Sequence, residues 1–513
     1  GGRLAGCGLG VLHVFHHYLA VPLTLRAALA PCTYWWWGLA CLTLVRLVLA
    51  ASIPLSPDEA YYRIWALALA GGYLDHPPMV AVWARVGMLL AGDTALGVRL
   101  LGPVSTCLAS VLIVQSAWCW LQGQVTPEQV RAGGLRAGLL FNGTLSVGLG
   151  TLVMTPDTPL LFFMALLLWG LVRACIGGQR RMWLLAGLAA GLGFDSKYTM
   201  LLPLAGLGLW LLATKEGRSW LRTPWPYCAA GLALVCTVPV IWWNAEHAWA
   251  SFAKQGGRVG DWNPAHALAF MGELLGGQVG LASPLVFVFF VGSVWLLWRQ
   301  RSSFAILLLC MVALPAAVFA QHALGARVQA NWPVVLYPIL ALAAAQVAWP
   351  WWRSAGFVGI GLAGVVGVQA AFMPLRLSPH LDMTLRQMGG WPDFARSVSA
   401  RVPEGAPLVA DEYGLASELA FYAPERVVLG AEPRWRLFSL PHPACGTQAY
   451  LVLSHKRAGP PDDHLFEVLE TLPEQARTRG GIVADTYALF HVRLRCPAPG
   501  QVYGAALLPG RGR

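Results

Sequence analysis

Between residues 33 and 374 the sequence runs through eleven apolar stretches, each close to the length that crosses a bilayer as a helix. A hydrocarbon core takes about 20 apolar residues per helix, and lipid offers no partner to unpaired backbone groups. This feature alone selects a polytopic α-helical membrane protein. The stretches lie near 33–51, 97–121, 135–153, 158–176, 182–195, 198–214, 225–243, 279–298, 303–320, 333–350 and 355–374. The fifth and sixth are short, as in a broken or tilted pair. Composition agrees: 57% of residues are hydrophobic, 12% are charged, and the mean hydropathy is +0.56. A soluble chain carries about 25% charged residues, so a water-soluble enzyme and a disordered protein are both excluded. Residues 4–30 are apolar but hold His13, His16, His17 and Arg26. They read as an interfacial helix, a poor extra span or a consequence of where the chain starts, so 1–32 is set apart as an N-terminal cytoplasmic or interfacial segment. No small-residue cleavage site follows cleanly, which argues against a signal peptide.

The few charges are unevenly placed. Residues 1–374 carry 21 basic and 11 acidic residues, whereas 375–513 carry 15 and 14. The chain therefore divides into a membrane body, 33–374, whose first outer loop is 52–96, and a separate soluble domain, 375–513. Within the body, alternate loops differ in sign. One set holds Arg131, Arg136, Arg173, Arg180, Arg181, Lys215, Arg218, Arg222, Arg299, Arg301 and Arg353 against Glu128 and Glu216 alone. The positive-inside rule puts that set in the cytoplasm, with the N-terminus, and the odd number of spans puts the soluble domain outside. The net charge of +11 is thus largely a topology signal and does not call for a nucleic-acid partner.

The same orientation gathers Asp58, Glu59, Asp75, Asp157 and Asp195 on the outer face. Ionisable groups at membrane level are costly and mark functional sites. Ser56-Pro57-Asp58-Glu59 has the pattern of a helix start: a Ser cap, Pro at the first position and Glu at the third to close a capping box. The acidic pair equally suits a general base or a metal ligand. Asp75-His76-Pro77-Pro78 is a stiffened turn, and His76 reads as a hydrogen-bonded loop residue, an acceptor-binding group or a ligand. Thr155-Pro156-Asp157 opens another helix on the same face. Asp195-Ser196-Lys197 interrupts a long apolar run, and Lys197 either pairs internally with Asp195 or meets a lipid phosphate. Lys254 and Arg258, with His322 and Arg327, would complete a cationic surround. There is no P-loop, CxxC or HExxH. The GxGxxG run from Gly359 to Gly364 lies within a span and reads as close helix packing, as do Gly187 and Gly191.

The tail mixes strand-like runs, at 407–410, 426–429, 449–454 and 487–495, with helix-like runs near 393–401, 413–422 and 462–479, the signature of a small α/β domain. Its two cysteines, Cys445 and Cys496, are either a disulfide or two free thiols.

Several blocks resemble bacterial glycosyltransferases of family 39, the protein mannosyltransferase-like GT-C enzymes related to the lipid A aminoarabinose transferase. They are SPDEAYYRIWALALAGGYLDHPPMVAVWARVG, MTPDTPLLFF, GLGFDSKYTMLLP, WNAEHAWASFAKQGGR, ARVQANWPVVLYP and PLVADEYGLASELAFYAP, in family order and covering most of 52–425. The resemblance implies a GT-C body of about 11–13 transmembrane helices with a periplasmic α/β domain, in a bacterial inner membrane. It also implies transfer of a sugar from a polyprenyl-phosphate donor to a glycolipid or protein acceptor at the periplasmic side. By the same resemblance Asp58 is the reaction-centre acid, Glu59 its companion and Asp157 a supporting acid. Lys197, Tyr337, Arg258 and Arg327 meet the donor, and His76 belongs to this subgroup. Some relatives use a divalent metal, for which Asp58, Glu59 and His76 are the candidate ligands; no other cofactor is implied.

The chemistry is consistent with this. Inverting displacement needs a carboxylate to take the acceptor proton, here Asp58, and cations to stabilise the departing phosphate. Two other classes compete. A flippase for lipid-linked sugars would share the spans and charges but favours a midplane site between repeated halves. A non-enzymatic envelope-assembly protein would need neither Asp58 nor Lys197.

Overall fold

A computed structural model describes residues 33–150, 152–256, 264–454, 459–496 and 504–511. The apolar stretch 4–30 and Arg258 lie outside them. Every one of the eleven stretches is helical, but not every one is a full span. Among the described residues, six helices are long and apolar enough to cross a membrane: Thr33–Ser52, Ala95–Leu121, Asp157–Cys175, Trp225–Glu246, Ser303–Ala323 and Trp352–Phe372. Pro264–Ala282 and Pro284–Gln300 form a pair bent by 107°, a seventh span if counted together. The bend falls at Ser283, whose φ of 68° ends the first helix, and Pro284 starts the second. The remaining stretches are shorter or broken helices, including Met182–Phe194, Tyr198–Ala213 and Trp332–Gln346. Stretch 135–153 divides into Pro127–Asn142 and Leu145–Gly150. The glycine runs pack helices together. A Cβ on Gly359 would lie 1.7 Å from the Gly143 carbonyl oxygen, and one on Gly187 would lie 2.3 Å from that of Ala229.

The first outer loop is folded rather than extended, with helices Pro57–Leu67 and Met79–Ala91. The tail carries a mixed six-stranded sheet: β1 (Leu408–Ala410), β2 (Val428–Gly430), β3 (Gln448–Ser454), β4 (Phe466–Arg479), β5 (Ile482–Leu494) and β6 (Ala506–Leu508), in the order β4-β5-β3-β1-β2-β6. β1 runs parallel to β2 and β3; the other pairs are antiparallel. The expected helix at 462–479 is instead strand β4. Its Leu, Glu, Gln and Ala residues favour a helix locally, but pairing with β5 along the whole run overrides that preference. Pro473, which has no N–H to donate, falls inside a register shift between Leu472 and Gln475. Cys445 and Cys496 are joined as a disulfide, just before β3 and just after its neighbour β5, with Cα atoms 5.2 Å apart.

The tail is not separate from the body. Leu55, Tyr61, Ile64 and Trp65 of the loop share one apolar core with Trp391, Leu415, Phe421, Trp435 and Phe438 of the tail. The Leu55 N–H donates to the Tyr422 hydroxyl at 2.8 Å, and Arg63 donates to the Pro509 carbonyl at 3.0 Å. The helix Tyr413–Tyr422 lies directly on the loop helix Pro57–Leu67, and Gly414 makes the approach possible, since a Cβ there would meet Pro57 Cβ at 2.6 Å.

Candidate active site

The start of the loop helix separates two adjacent acids. Ser56 and Glu59 form the expected capping box, with the Ser56 N–H 3.0 Å from Glu59 Oε2. Glu59 is fully buried, and its carboxylate is also held by Arg99 at 2.5 and 2.6 Å and by the Met154 N–H at 2.8 Å. Arg99 in turn donates to the carbonyls of Ala50, Ile53 and Pro54. Glu59 therefore ties the end of the first span to the loop. It has no oxygen turned to the reaction space, unlike the role expected of it. Asp58, one residue earlier on the helix, faces a cavity of about 400 Å³.

Two carboxylates, Asp58 and Asp75, line this cavity and a third, Asp157, lies just behind Lys197 and Asn331 of its floor, and the three are in different electrostatic states. Asp157 at the floor is bound by Lys197 Nζ at 2.7 and 2.9 Å and by Asn331 Nδ2 at 2.9 Å. Of the two readings of Lys197, an internal pair with Asp195 or a lipid phosphate, the first is replaced by a pair with Asp157. Lys197 and Asp157 meet because the turn at 195–198 and the start of helix Asp157–Cys175 converge at one level of the bundle. Asp75 in the wall is bridged by Lys254 at 2.5 Å and by Arg434 at 2.9 Å, and accepts from the Tyr61 hydroxyl at 3.3 Å. Burial would raise the Asp75 carboxyl, but Arg434 and Lys254 outweigh it and hold it below its ordinary range. Asp58 at the rim has no ion pair among the described residues. It accepts one hydrogen bond, from the Tyr413 hydroxyl at 2.8 Å. Its tip reaches the water of the cavity, yet the surrounding protein desolvates it. That desolvation, aided by Glu412, Asp75 and Glu59 and opposed by the Tyr413 bond, raises its carboxyl above the ordinary value.

One rim residue, Tyr413, and the arginine packed on it, Arg434, come from the tail and were not singled out by sequence reasoning. Tyr413 opens the helix that rests on the loop. Arg434 lies with its guanidinium 3.8 Å above the Tyr413 ring and also pairs with Glu432 at 3.0 Å. The DEYGLASELAFY block held the available signal for Tyr413, but nothing local marks Arg434. Asp75, noted as an outer-face charge, lines the wall, and Lys254, expected in a cationic surround, pairs with it from behind.

Of the other expected residues, His76 lines the cavity together with His322, Gln329 and Asn331. Arg327 does not. It pairs with Glu273 at 2.5 Å, its side chain 73% exposed. Tyr337 is buried elsewhere, donating to Gln278 at 3.0 Å beside an apolar groove of about 240 Å³. Phe319 lines both spaces, so the groove abuts the polar cavity. With Glu59 committed to Arg99, the candidate ligands Asp58, Glu59 and His76 do not converge as a metal set. Among the described residues the convergent acid–histidine group is Asp462, Asp463 and His464, exposed on the tail.

A cavity of this kind offers an unpaired carboxylate at one end, a lysine at the other and an apolar groove alongside. The chain has known likenesses. A family model described as dolichyl-phosphate-mannose-protein mannosyltransferase matches residues 75–243. The lipid A galacturonosyltransferase RgtD of Rhizobium johnstonii is 25% identical over 468 residues, covering 86% of this chain and 94% of the relative. The crystal structure of ArnT from Cupriavidus metallidurans bound to undecaprenyl phosphate superposes with a TM-score of 0.62 at 14% identity, over 90% of this chain and 98% of that one. The apo state of the same protein gives 0.61 at 16% identity.

Proposed function

With the chain a family-39-like membrane glycosyltransferase of the GT-C fold, we propose that it moves a sugar from a polyprenyl phosphate to a hydroxyl of a lipid A-like acceptor, at the periplasmic face of the inner membrane. The observation that carries this reading is the contrast among the three acids. Asp157 and Asp75 are neutralised by cations, whereas Asp58 holds an unpaired carboxylate against the cavity. A carboxylate with a raised pKa is the better base, since proton transfer is most effective when donor and acceptor are matched.

In this reading the acceptor hydroxyl gives its proton to Asp58 as its oxygen attacks the anomeric carbon. The bond from that carbon to the phosphate oxygen breaks, its electron pair leaves with the polyprenyl phosphate, and the anomeric configuration inverts. Lys197 faces the growing phosphate charge, and Asp157 and Asn331 fix the lysine in place. His76, His322 and Gln329 supply hydrogen bonds to the sugar. The apolar groove beside Tyr337 receives the first isoprene units of the donor. The relative's activity makes a hexuronic acid the first sugar to try and lipid A the first acceptor. A flippase or an assembly protein finds no support in the likenesses, which are to transferases.

The test is transfer by the purified protein from undecaprenyl-phosphate-linked galacturonic acid to lipid A, read by mass spectrometry. Asp58→Asn is expected to lower turnover by about 10²- to 10⁴-fold with an unchanged melting profile. Near-normal turnover by this variant would remove Asp58 as base. No transfer by the wild-type chain, from uronic or neutral hexose donors alike, would remove the donor class.

A further inference from the structure

The segment leaving the last span is built inside out for a loop in water. Its polar groups point inward. Gln369, in the last turn of Trp352–Phe372, donates to the Leu375 carbonyl at 2.8 Å and to Asp382 Oδ2 at 2.7 Å, and accepts from the Leu375 N–H at 3.1 Å. Asp382, only 3% exposed, accepts in addition from the Leu385 N–H and the Thr384 hydroxyl. Its sequence neighbours point the other way: Leu381 is 76% exposed and Met383 65%, with Phe372 and Leu375 exposed beside them. A hydrated loop would turn Asp outward and Leu inward, because each exposed leucine forgoes about 1.5–3 kcal/mol of burial.

The tail clamps this segment rigidly. From one strand, β4, two arginines reach back. Arg479 donates to the carbonyls of Ala370 and Ala371, both at 2.7 Å, capping the last span. Arg477, fully buried, donates to the carbonyls of Leu385, Arg386 and Gly389, capping the helix Met383–Met388. Exposed Arg376, His380 and Arg386 lie between the apolar side chains.

We infer that residues 372–386 form an interfacial anchor that embeds Leu375, Leu381 and Met383 in the leaflet on the site's side of the membrane. Arg376 and Arg386 lie at headgroup level, where anionic lipids attract them. Continuity with a membrane span selects lipid over a protein partner, because the patch starts where the lipid-facing surface of Trp352–Phe372 ends. Through Arg477 and Arg479 the anchor fixes the height of the sheet above the bilayer, and hence of the rim residue that the tail contributes to the cavity.

The experiment places p-benzoylphenylalanine at position 381, 383 or 396 of the full chain, in nanodiscs of phosphatidylethanolamine and phosphatidylglycerol. Arg396, on an outer tail helix, is the aqueous control. After irradiation, mass spectrometry is expected to find about tenfold more lipid adduct at 381 and 383 than at 396. Equal yields at the three positions would overturn the inference, as would cross-links from 381 to a second copy in place of lipid. The outcome does not depend on whether Asp58 is the base.

Discussion

The floor and the rim of the cavity are made differently. The floor, Asp157 with Lys197 and Asn331, comes from the start of one membrane helix and the turns between others, and its ion pair is buried. The rim and wall, Asp58 with Tyr413 and Asp75 with Lys254 and Arg434, join the loop 52–96 to the tail, and Asp58, Asp75 and Tyr413 are open to the cavity. A floor of this kind suits a charge that must be met in one fixed place, such as a phosphate arriving with its lipid. A rim assembled from two regions suits an acceptor that enters from outside and whose base must be reachable. The difference teaches that the tail is a wall of the site and not an appendage to it.

The sharpest way to break this contrast is at the floor. Lys197→Met removes the cation that the proposed mechanism sets against the departing phosphate and is expected to lower kcat by about 10²- to 10³-fold. Steady-state kinetics with a lipid-linked donor would read this as a fall in kcat larger than any rise in KM. A change in KM alone would make Lys197 a ground-state binder of the donor. At the rim the expected effect is smaller. Tyr413→Phe keeps the ring beneath Arg434 and deletes only the bond to Asp58. A hydrogen bond to a charged group is worth about 1.5–3 kcal/mol, so kcat should fall roughly tenfold with no change in melting temperature. Wild-type kinetics in this variant would reduce the tail to a scaffold. Smallest of all is Arg327→Ala, which breaks an exposed ion pair with Glu273. Such pairs contribute about 0–1 kcal/mol, so both turnover and thermal stability should stay close to wild type. A large loss of donor affinity would instead show that Arg327 swings into the cavity when donor binds.

What could be read from the sequence follows the range of the interactions. The capping box at Ser56–Glu59 depends on four consecutive residues, and the structure has it as written. The partner of Glu59 does not: Arg99 lies forty positions away and inside a stretch that reads as a span. Lys197 stood out because a lysine in an apolar run has few explanations, yet neither of its two readings named Asp157, since Asp195 is adjacent in sequence and Asp157 is adjacent in space. Helices were legible as apolar runs, while their true lengths depend on bends at Ser283 and Gly143 that hydropathy does not register. In the tail, β4 carries helix-favouring residues and becomes a strand only because β5 runs beside it. Arg434 was invisible because its place in the wall depends on how the tail seats on the loop.

That seating turns on a missing methyl group. Gly414 rests on Pro57, and the next residues on either side are Tyr413 and Asp58, joined by a 2.8 Å hydrogen bond. A β-carbon at 414 would have to retreat from 2.6 Å to ordinary carbon–carbon contact, about 1 Å further out. The tyrosine hydroxyl would then lift off the carboxylate without any change to either residue. A side chain larger than that of glycine at 414 therefore acts on the site through Pro57. Two halves of a protein that look modular on a hydropathy plot share, at this one contact, a common ruler.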